Sequence, residues 1–331
     1  MAFYLQSEIR RKLLEAFSEA QGGYVSGQKI SDLLGCSRTA VWKHIEELRK
    51  EGYELEAVRK KGYRIVGKPN KITSNEIRLG LETEKLGQEI YYYDSVTSTQ
   101  SIAQELASKG VPEGTIIVAD EQTGGRGRMA RTWYSPKETG IWMSLILRPK
   151  ISIQRTPQLT LIAAVAIVQA IEEVTGLSPH IKWPNDILIN GKKVVGILTE
   201  LQAEADQVHS VIIGMGINVN QNVDHFPEHL LSIATSLAIE KGQSITRAEL
   251  IQKILLRFEG LYFQYLKHGF KPIKLLWESY AISLNKFITA RTLSGAIKGK
   301  AIGINDEGVL LIETDEGKIE HIYSADIEIN N

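Results

Sequence analysis

A single cysteine, Cys36, stands in a chain of 331 residues. That excludes an internal disulfide and any zinc site built from cysteine pairs. No apolar run approaches the ~18 residues a membrane-crossing helix needs. Residues 1–22 carry charges at helical spacing and lack the order of a signal peptide, so the cytoplasm is the expected compartment. Excess charge of one sign is absent too, since 39 Lys and Arg balance 39 Asp and Glu. No Gly-Lys-Ser/Thr phosphate loop occurs, no strand–Gly-x-Gly-x-x-Gly–helix fingerprint, and no His-Glu-x-x-His pair. A bound nucleotide is therefore not held in either of the two common ways. Internal repeats and low-complexity tracts are missing as well.

The balanced charge hides an asymmetry. Residues 1–68 carry 13 Lys and Arg against 9 Asp and Glu, whereas the remainder carries 26 against 30. A basic N-terminal module on an acidic body hints at nucleic acid. With 43% apolar and 24% charged residues the chain reads as globular, and its length predicts two or three domains.

In the N-terminal module, Leu5, Ile9, Leu13, Leu14 and Phe17 recur at helical spacing up to Gly22-Gly23. Ser26 caps a short second helix bearing Ile30, Leu33 and Leu34. A tight turn at Gly35-Cys36 leads into a third helix from Ser37 or Arg38 through Val41, Trp42, Ile45 and Leu48. Helix–tight turn–helix is the pattern whose second helix can enter a major groove. Two short runs, Tyr53–Val58 and Gly62–Val66, joined by Arg59-Lys60-Lys61, read as a hairpin with a basic tip. The module is expected to be a winged helix-turn-helix. Ser37, Arg38, Thr39 and Lys43 are the candidate base readers, and Arg59, Lys60 and Lys61 the candidate phosphate contacts. Trp42 is expected inside, and Cys36 is read as a small buried turn residue. A three-helix packing or dimerisation module is the alternative.

Past Gly67-Lys68-Pro69-Asn70, strands and helices mix. Extended segments are predicted at 90–93, 114–121, 141–148, 180–189, 193–202 and 209–219, and helices at 98–109, 156–175, 248–267 and 273–280. Asn190-Gly191 is a strong hairpin signal. From Phe287 onward, turn spacing gives a small β-barrel or sandwich. The expected division is 1–66, a linker at 67–75, a central domain at 76–282 and a β domain at 283–331.

Two separated segments carry the chemistry. Gly124-Gly125-Arg126-Gly127-Arg128-Met129-Ala130-Arg131-Thr132-Trp133 is a Gly-rich loop with three arginines. Its glycines let backbone approach a ligand, and its arginines suit carboxylate or phosphate oxygens. A solvated surface loop is the alternative reading. Lys182-Trp183-Pro184-Asn185-Asp186, followed by Gly191-Lys192-Lys193-Val194-Val195-Gly196, sets lysines and a carboxylate on adjacent strand ends.

Together these segments resemble the catalytic domain of the biotin–protein ligases. With the N-terminal module, nearly the whole chain resembles a bifunctional biotin ligase and biotin-operon repressor. The resemblance implies a multidomain α+β fold with a winged helix-turn-helix, a mixed-sheet ligase domain like that of class II aminoacyl-tRNA synthetases, and an SH3-like barrel at the end. It implies that the Gly124–Trp133 loop closes over biotin and its adenylate, with Gly125, Arg126, Gly127, Arg128, Arg131 and Trp133 among its contacts and Gly196 beside them. Lys193 would contact the reacting carboxylate, Lys182 and Asp186 would complete the catalytic set, and Asp186 would orient the acceptor lysine. Ser98, Thr99, Gln100 and Gln122 fall where the family binds biotin's ureido and ring groups. Gly214, Gly216 and Asn218 fall on the glycine-rich strand end at the nucleotide side. The chain departs from the family at Gln100, where many relatives carry Asn, and at Met129-Ala130, often Arg-Gly.

The reaction so implied joins biotin to AMP from ATP, giving biotinyl-5′-AMP, and an acceptor lysine then attacks the mixed anhydride. The nucleophile lies on the partner, in keeping with the lack of a catalytic Ser, Cys or His motif. Mg²⁺ is expected on the phosphates and no dedicated metal motif is expected. The implied partners are a biotin carboxyl carrier protein or domain (of acetyl-CoA carboxylase, with pyruvate carboxylase a second candidate), operator DNA, and a second copy of the chain once adenylate, the implied corepressor, is bound. A lipoate ligase, a ligase whose DNA module is only structural, and a ligand-responsive DNA regulator without transferase activity are the alternatives. His225 and His229 read as surface residues, Phe226 as an adenine lid or ordinary loop packing, and Trp133, Trp142, Trp183 and Trp277 as core or pocket wall.

Overall fold

The computed structural model describes residues 2–67, 69–204 and 207–329, without the side chains of residues 2–8 and 11. Leu5, Lys68 and the last two residues of the expected β domain thus lie outside the described side chains or residues. The chain divides into two compact units, Met1–Leu81 and Glu82–Asn331.

The first unit begins with α1 (Ala2–Glu19), α2 (Gly27–Leu34) and α3 (Arg38–Lys50). Leu13, Leu14, Phe17, Ile30, Val41, Ile45 and Leu48 form its core. The helix starts follow from capping: Ser26 accepts from the amide of Lys29 at 3.1 Å and Ser37 from that of Ala40 at 3.2 Å, each satisfying a backbone donor the helix cannot. Gly35, at φ 61°, ends α2 in the left-handed conformation that glycine adopts without penalty. Antiparallel β1 (Glu54–Val58) and β2 (Gly62–Gly67) make the wing. The expected linker 67–75 is packed chain instead. Ile72 and Ile77 are fully buried, Leu79 packs on the helical core, and Tyr53 donates to Glu76 on α4 (Ser74–Arg78). Ile72 lies in the expected linker and Ile77 and Leu79 in the expected start of the central domain, and the first unit runs on to Leu81.

The second unit is built on a seven-stranded mixed sheet. In chain order its elements are β3 (Ile90–Tyr93), α5 (Thr99–Ser108), β4 (Ile116–Ala119), β5 (Gly140–Leu147), α6 (Thr156–Thr175), β6 (His180–Lys182), β7 (Asp186–Ile189), β8 (Lys192–Glu204) and β9 (Gln207–Asn218). The strand order is β3-β4-β5-β9-β8-β7-β6, with β3 and β4 parallel and the other neighbours antiparallel. The strand expected over 180–189 is two strands, because Pro184 has no N–H for the ladder and the chain turns there. Asn190 and Gly191, both at positive φ (50° and 79°), form the β7–β8 hairpin turn. Apolar α6 is long enough to cross a membrane by composition, but 72% of its most apolar window is buried inside the protein. It is the core helix behind the sheet, packed with α8 (Arg247–His268) and α9 (Lys271–Tyr280), which follow the short α7 (Leu237–Lys241).

The last strands, β10 (Phe287–Thr292), β11 (Gly295–Ile304), β12 (Leu310–Glu313), β13 (Ile319–Ile322) and β14 (Asp326–Ile329), form a small antiparallel domain ordered β13-β12-β11-β10-β14. It seats on the sheet domain through Gln158, which donates to the Asp306 carbonyl at 2.7 Å, and Trp183, which donates to the Gly308 carbonyl at 3.2 Å. That seating matters for the site, because it carries the start of β14 to the cavity.

Candidate functional site

A cavity of about 520 Å³ opens on the central sheet. Its floor exists because three sheet positions lack a side chain. A Cβ on Gly214 would sit 2.6 Å from Gln100 Oε1, one on Gly216 would sit 2.4 Å from Trp133 Nε1, and one on Gly196 2.7 Å from the Trp133 ring. Gly196 and Gly216 are register partners on β8 and β9. The indole of Trp133 lies across that bare pair, and the Gln100 amide covers Gly214. These glycines make room for the Trp133 indole and the Gln100 amide.

Polar groups line one stretch of the cavity. Gln122 Oε1 accepts from the Thr99 amide at 2.9 Å and from the Thr99 hydroxyl at 3.1 Å. The Ser144 hydroxyl donates to Gln100 Oε1 at 3.0 Å and lies 2.9 Å from the Thr99 hydroxyl. Gln100 Nε2 donates to the Ile212 carbonyl at 3.2 Å, and Gln122 Nε2 to the Ser135 hydroxyl at 3.0 Å. Ser98, Thr99, Gln100 and Ser144 are all buried, so this set is held before any ligand arrives. Ser144 was missed in the sequence, although a lone hydroxyl inside the apolar run Gly140–Leu147 is a visible irregularity.

Charged groups occupy the next stretch. Asp186, register partner of Gly196, places Oδ1 2.7 Å from Lys193 Nζ. That ammonium stands 5.2 Å from the centre of the Trp133 ring, a cation–π distance. The Lys193 backbone is clamped on its other edge, donating to the Ile233 carbonyl at 2.8 Å and accepting from the Thr235 amide at 2.9 Å. From the Gly-rich loop, Arg126 donates to the Ser101 hydroxyl at 3.2 Å, and Arg128 to Asn185 Oδ1 at 3.1 Å and the Ser324 hydroxyl at 2.6 Å. Arg131 is ion-paired with Asp326. The hydrogen bond from Arg131 holds the Asp326 carboxyl below its ordinary range, with burial opposing and the Arg128 and Lys182 charges assisting. Asn185, Ser324 and Asp326 were not anticipated, and the last two lie far along the chain on a separate β domain.

Every expected ligand-site residue lines this cavity except Gly125. A Cβ there would meet the Trp133 carbonyl at 2.4 Å and Ser135 Oγ at 2.7 Å, so Gly125 allows the loop to fold on itself. Asn218 lines the cavity while bracing the covering segment, with its amide donating to the Thr235 carbonyl at 3.0 Å. Phe226 is buried at the cavity wall, and His225 is exposed and accepts from the Asn222 amide at 3.1 Å. Trp142, Trp183 and Trp277 are core residues. Among the described residues no group of three His, Cys, Asp or Glu could hold a metal ion.

In the first unit, Arg59, Lys60 and Lys61 are exposed at the wing tip, with Lys60 at φ 68°. Ser37, Arg38, Thr39 and Lys43 are exposed on α3. The Ser37 hydroxyl is occupied as a helix cap, and Arg38 is braced on Gln28 by two bonds of 3.1 and 2.7 Å. Trp42 corrects the sequence reading. It is 56% exposed, because the buried stripe runs Val41, Ile45, Leu48 and Trp42 lies about 100° off it. Cys36 is partly buried against the core.

These features have matches among known proteins. Residues 92–218 match the biotin/lipoate A/B protein ligase family, residues 9–64 an HTH domain, and residues 283–329 the biotin protein ligase C-terminal domain. The chain is 63% identical to the bifunctional ligase/repressor BirA of Bacillus subtilis over 325 residues, 98% of this chain and 100% of that one. It is 25% identical to the protein of the same name from Escherichia coli over 89% of this chain and 90% of that one. A biotin protein ligase from Aquifex aeolicus, solved in complex with biotin and ATP, superposes with a TM-score of 0.64 at 33% identity, covering 73% of this chain and 99% of that one. A shared cavity-bearing domain, helix-turn-helix and C-terminal β domain, with full-length identity at this level, lead to one assignment: the chain belongs to the bifunctional ligase/repressor family of biotin–protein ligases.

Proposed function

We propose that the chain activates biotin with ATP to biotinyl-5′-AMP, transfers the biotinyl group to a lysine of a biotin carboxyl carrier protein, and represses transcription through its helix-turn-helix. The observation that carries the ligase reading is the order of groups along the cavity. Buried groups at Thr99, Gln100 and Ser144, with the half-buried Gln122 amide bonded to Thr99, suit a polar ring head. The flat Trp133 face over Gly196 and Gly216 suits an apolar chain. Lys193 beyond it suits a terminal carboxylate. Over its whole lining the cavity counts five cations (Arg126, Arg128, Arg131, Lys182, Lys193) against two carboxylates (Asp186, Asp326), a surplus that favours phosphate.

Adenylation develops charge on carboxylate and phosphate oxygens, and fixed cations in a partly closed cavity stabilise it without reorganising. Lys193 is assigned the biotin carboxylate. Arg128, tied to Asn185 on one side, is assigned the phosphate. Asp186 first fixes Lys193 and then accepts a hydrogen bond from the incoming lysine amine. Trp133 and the 222–234 segment exclude water from the mixed anhydride. Mg²⁺ would arrive as counter-ion of the ATP phosphates, since both cavity carboxylates are already ion-paired. Acetyl-CoA carboxylase supplies the acceptor in this reading. The adenylate is the corepressor, and the adenylate-bound protein dimerises and binds operator DNA in the cytoplasm.

The test runs one preparation through two assays. Labelled biotin should pass to a carrier-protein lysine only with ATP, and lipoate should not replace it. A shift of biotin-gene promoter DNA should tighten when biotin and ATP are both present. Transfer of lipoate in preference to biotin would overturn the ligase reading, and DNA binding indifferent to both ligands would overturn the regulatory one.

Two substitutions probe the geometry. Gly216→Ala drives a methyl group into the Trp133 indole and should weaken biotin binding by about 1–3 kcal/mol, the usual cost of overpacking. Calorimetry against biotin reads it, and unchanged affinity would remove Trp133 from the binding floor. Trp42→Ala should lower DNA affinity about tenfold, since a large exposed aromatic beside Thr39 and Lys43 fits a contact hot spot. Its melting temperature should barely move, because Trp42 leaves the core intact. Wild-type DNA affinity in this variant would return Trp42 to incidental exposure.

A further inference from the structure

The C-terminal β domain reaches the cavity through one short segment. Ala325 and Ile327 are buried and anchor the start of β14, where Ile327 pairs with Ala290 and Asp326 with Arg291 of β10. Between and before these anchors, Asp326 and Ser324 turn outward to the Gly-rich loop. Asp326 takes Arg131, and Ser324 accepts from Arg128 at 2.6 Å. Both arginines belong to the Gly-rich loop; Arg128 is assigned the phosphate, and Arg131 adds to the cationic surplus of the same cavity lining. A carboxylate on a guanidinium presents the same paired oxygens as a phosphate does. Asp326 therefore occupies, from within the chain, the contact that an anionic ligand needs.

Resting on the ligase reading, we infer that Asp326 is an internal competitor for Arg131, positioning the loop on the C-terminal domain until a phosphate displaces it. Ser324 does the same for Arg128 more weakly, because a neutral acceptor yields easily to a charged one. The C-terminal domain thereby sets how tightly the nucleotide end binds. Arg131 and Asp326 have side chains 64% and 42% exposed, so water screens the pair and the effect is modest.

The experiment titrates the full-length chain with inorganic pyrophosphate and measures the KM for ATP and kcat of adenylate formation. Asp326→Asn should tighten pyrophosphate binding and lower the KM for ATP by about two- to fivefold, the range an exposed pair supports. Asp326→Glu, which keeps the charge, should restore wild-type values. In an Arg131→Ala background the asparagine substitution should change nothing. Should the asparagine variant lose its fold, Asp326→Ser makes the same comparison. Unchanged or weaker pyrophosphate binding in Asp326→Asn would overturn the inference, as would an effect that persists without Arg131. Pyrophosphate binding needs no catalysis, so this outcome is separate from any failure of the ligase reading, which the wild-type adenylation assay alone decides.

Discussion

Lys193→Ala should lower the rate of adenylate formation about 10²–10³-fold, the usual loss when one charge-stabilising group is removed from a reacting centre. The size follows from where the ammonium sits. It is held 2.7 Å from Asp186 and 5.2 Å from the Trp133 ring centre, in a cavity whose lining has a cationic surplus. Its backbone is clamped to the 233–235 segment by two hydrogen bonds, and those survive truncation, so the fold should hold. Biotin-dependent ATP–pyrophosphate exchange reads the rate and a thermal melt reads the fold. An exchange rate within threefold of wild type, with normal melting, would take Lys193 out of the chemistry.

Arg247→Ala should be the most destabilising single change considered, by about 3–5 kcal/mol, the cost of leaving one partner of a buried ion pair unanswered. Arg247 is 1% and Asp120 4% exposed. The guanidinium donates to Asp120 Oδ1 at 3.0 Å and to the Gly140 carbonyl at 3.1 Å. Tyr92 donates to the other Asp120 oxygen at 2.6 Å, and burial with that hydrogen bond pushes the Tyr92 phenol well above its ordinary range. The network joins α8 to the ends of β4 and β5, two residues before Gln122. Its loss should raise the KM for biotin as well as lower the melting temperature, by roughly 6–20 °C for a unit of this size. A double replacement, Asp120→Asn with Arg247→Met, should recover part of the stability, because no unpaired charge then stays buried. If Arg247→Ala melts within a degree or two of wild type, the pair is not holding these strand ends.

What the sequence disclosed, and what it hid, divides along the range of the interactions. Caps at Ser26 and Ser37, the Asn190-Gly191 turn and the apolar α6 are written in neighbouring residues, and local pattern is enough to read them. The two ligase segments were legible because glycines, arginines and lysines cluster there against an ordinary background. The Trp42 error came from weighing residue type over period: counting 100° steps from Val41, Ile45 and Leu48 puts Trp42 outside. Gly196 and Gly216 were placed in the site by resemblance alone; what lies over them is Trp133, and only the folded sheet brings it there. Asp120–Arg247 and Asp326–Arg131 pair residues 127 and 195 positions apart. Each of the four is unremarkable in its own neighbourhood, so no local signal could have matched them.

The most direct test of the account is a single-turnover adenylation. The full-length chain is mixed with ATP labelled at the α-phosphate, with biotin, and with no carrier protein. The account predicts biotin-dependent release of pyrophosphate and about one labelled biotinyl-5′-AMP retained per chain, discharged when carrier protein is added. No adenylate with biotin, or an adenylate formed with lipoate instead, would contradict it.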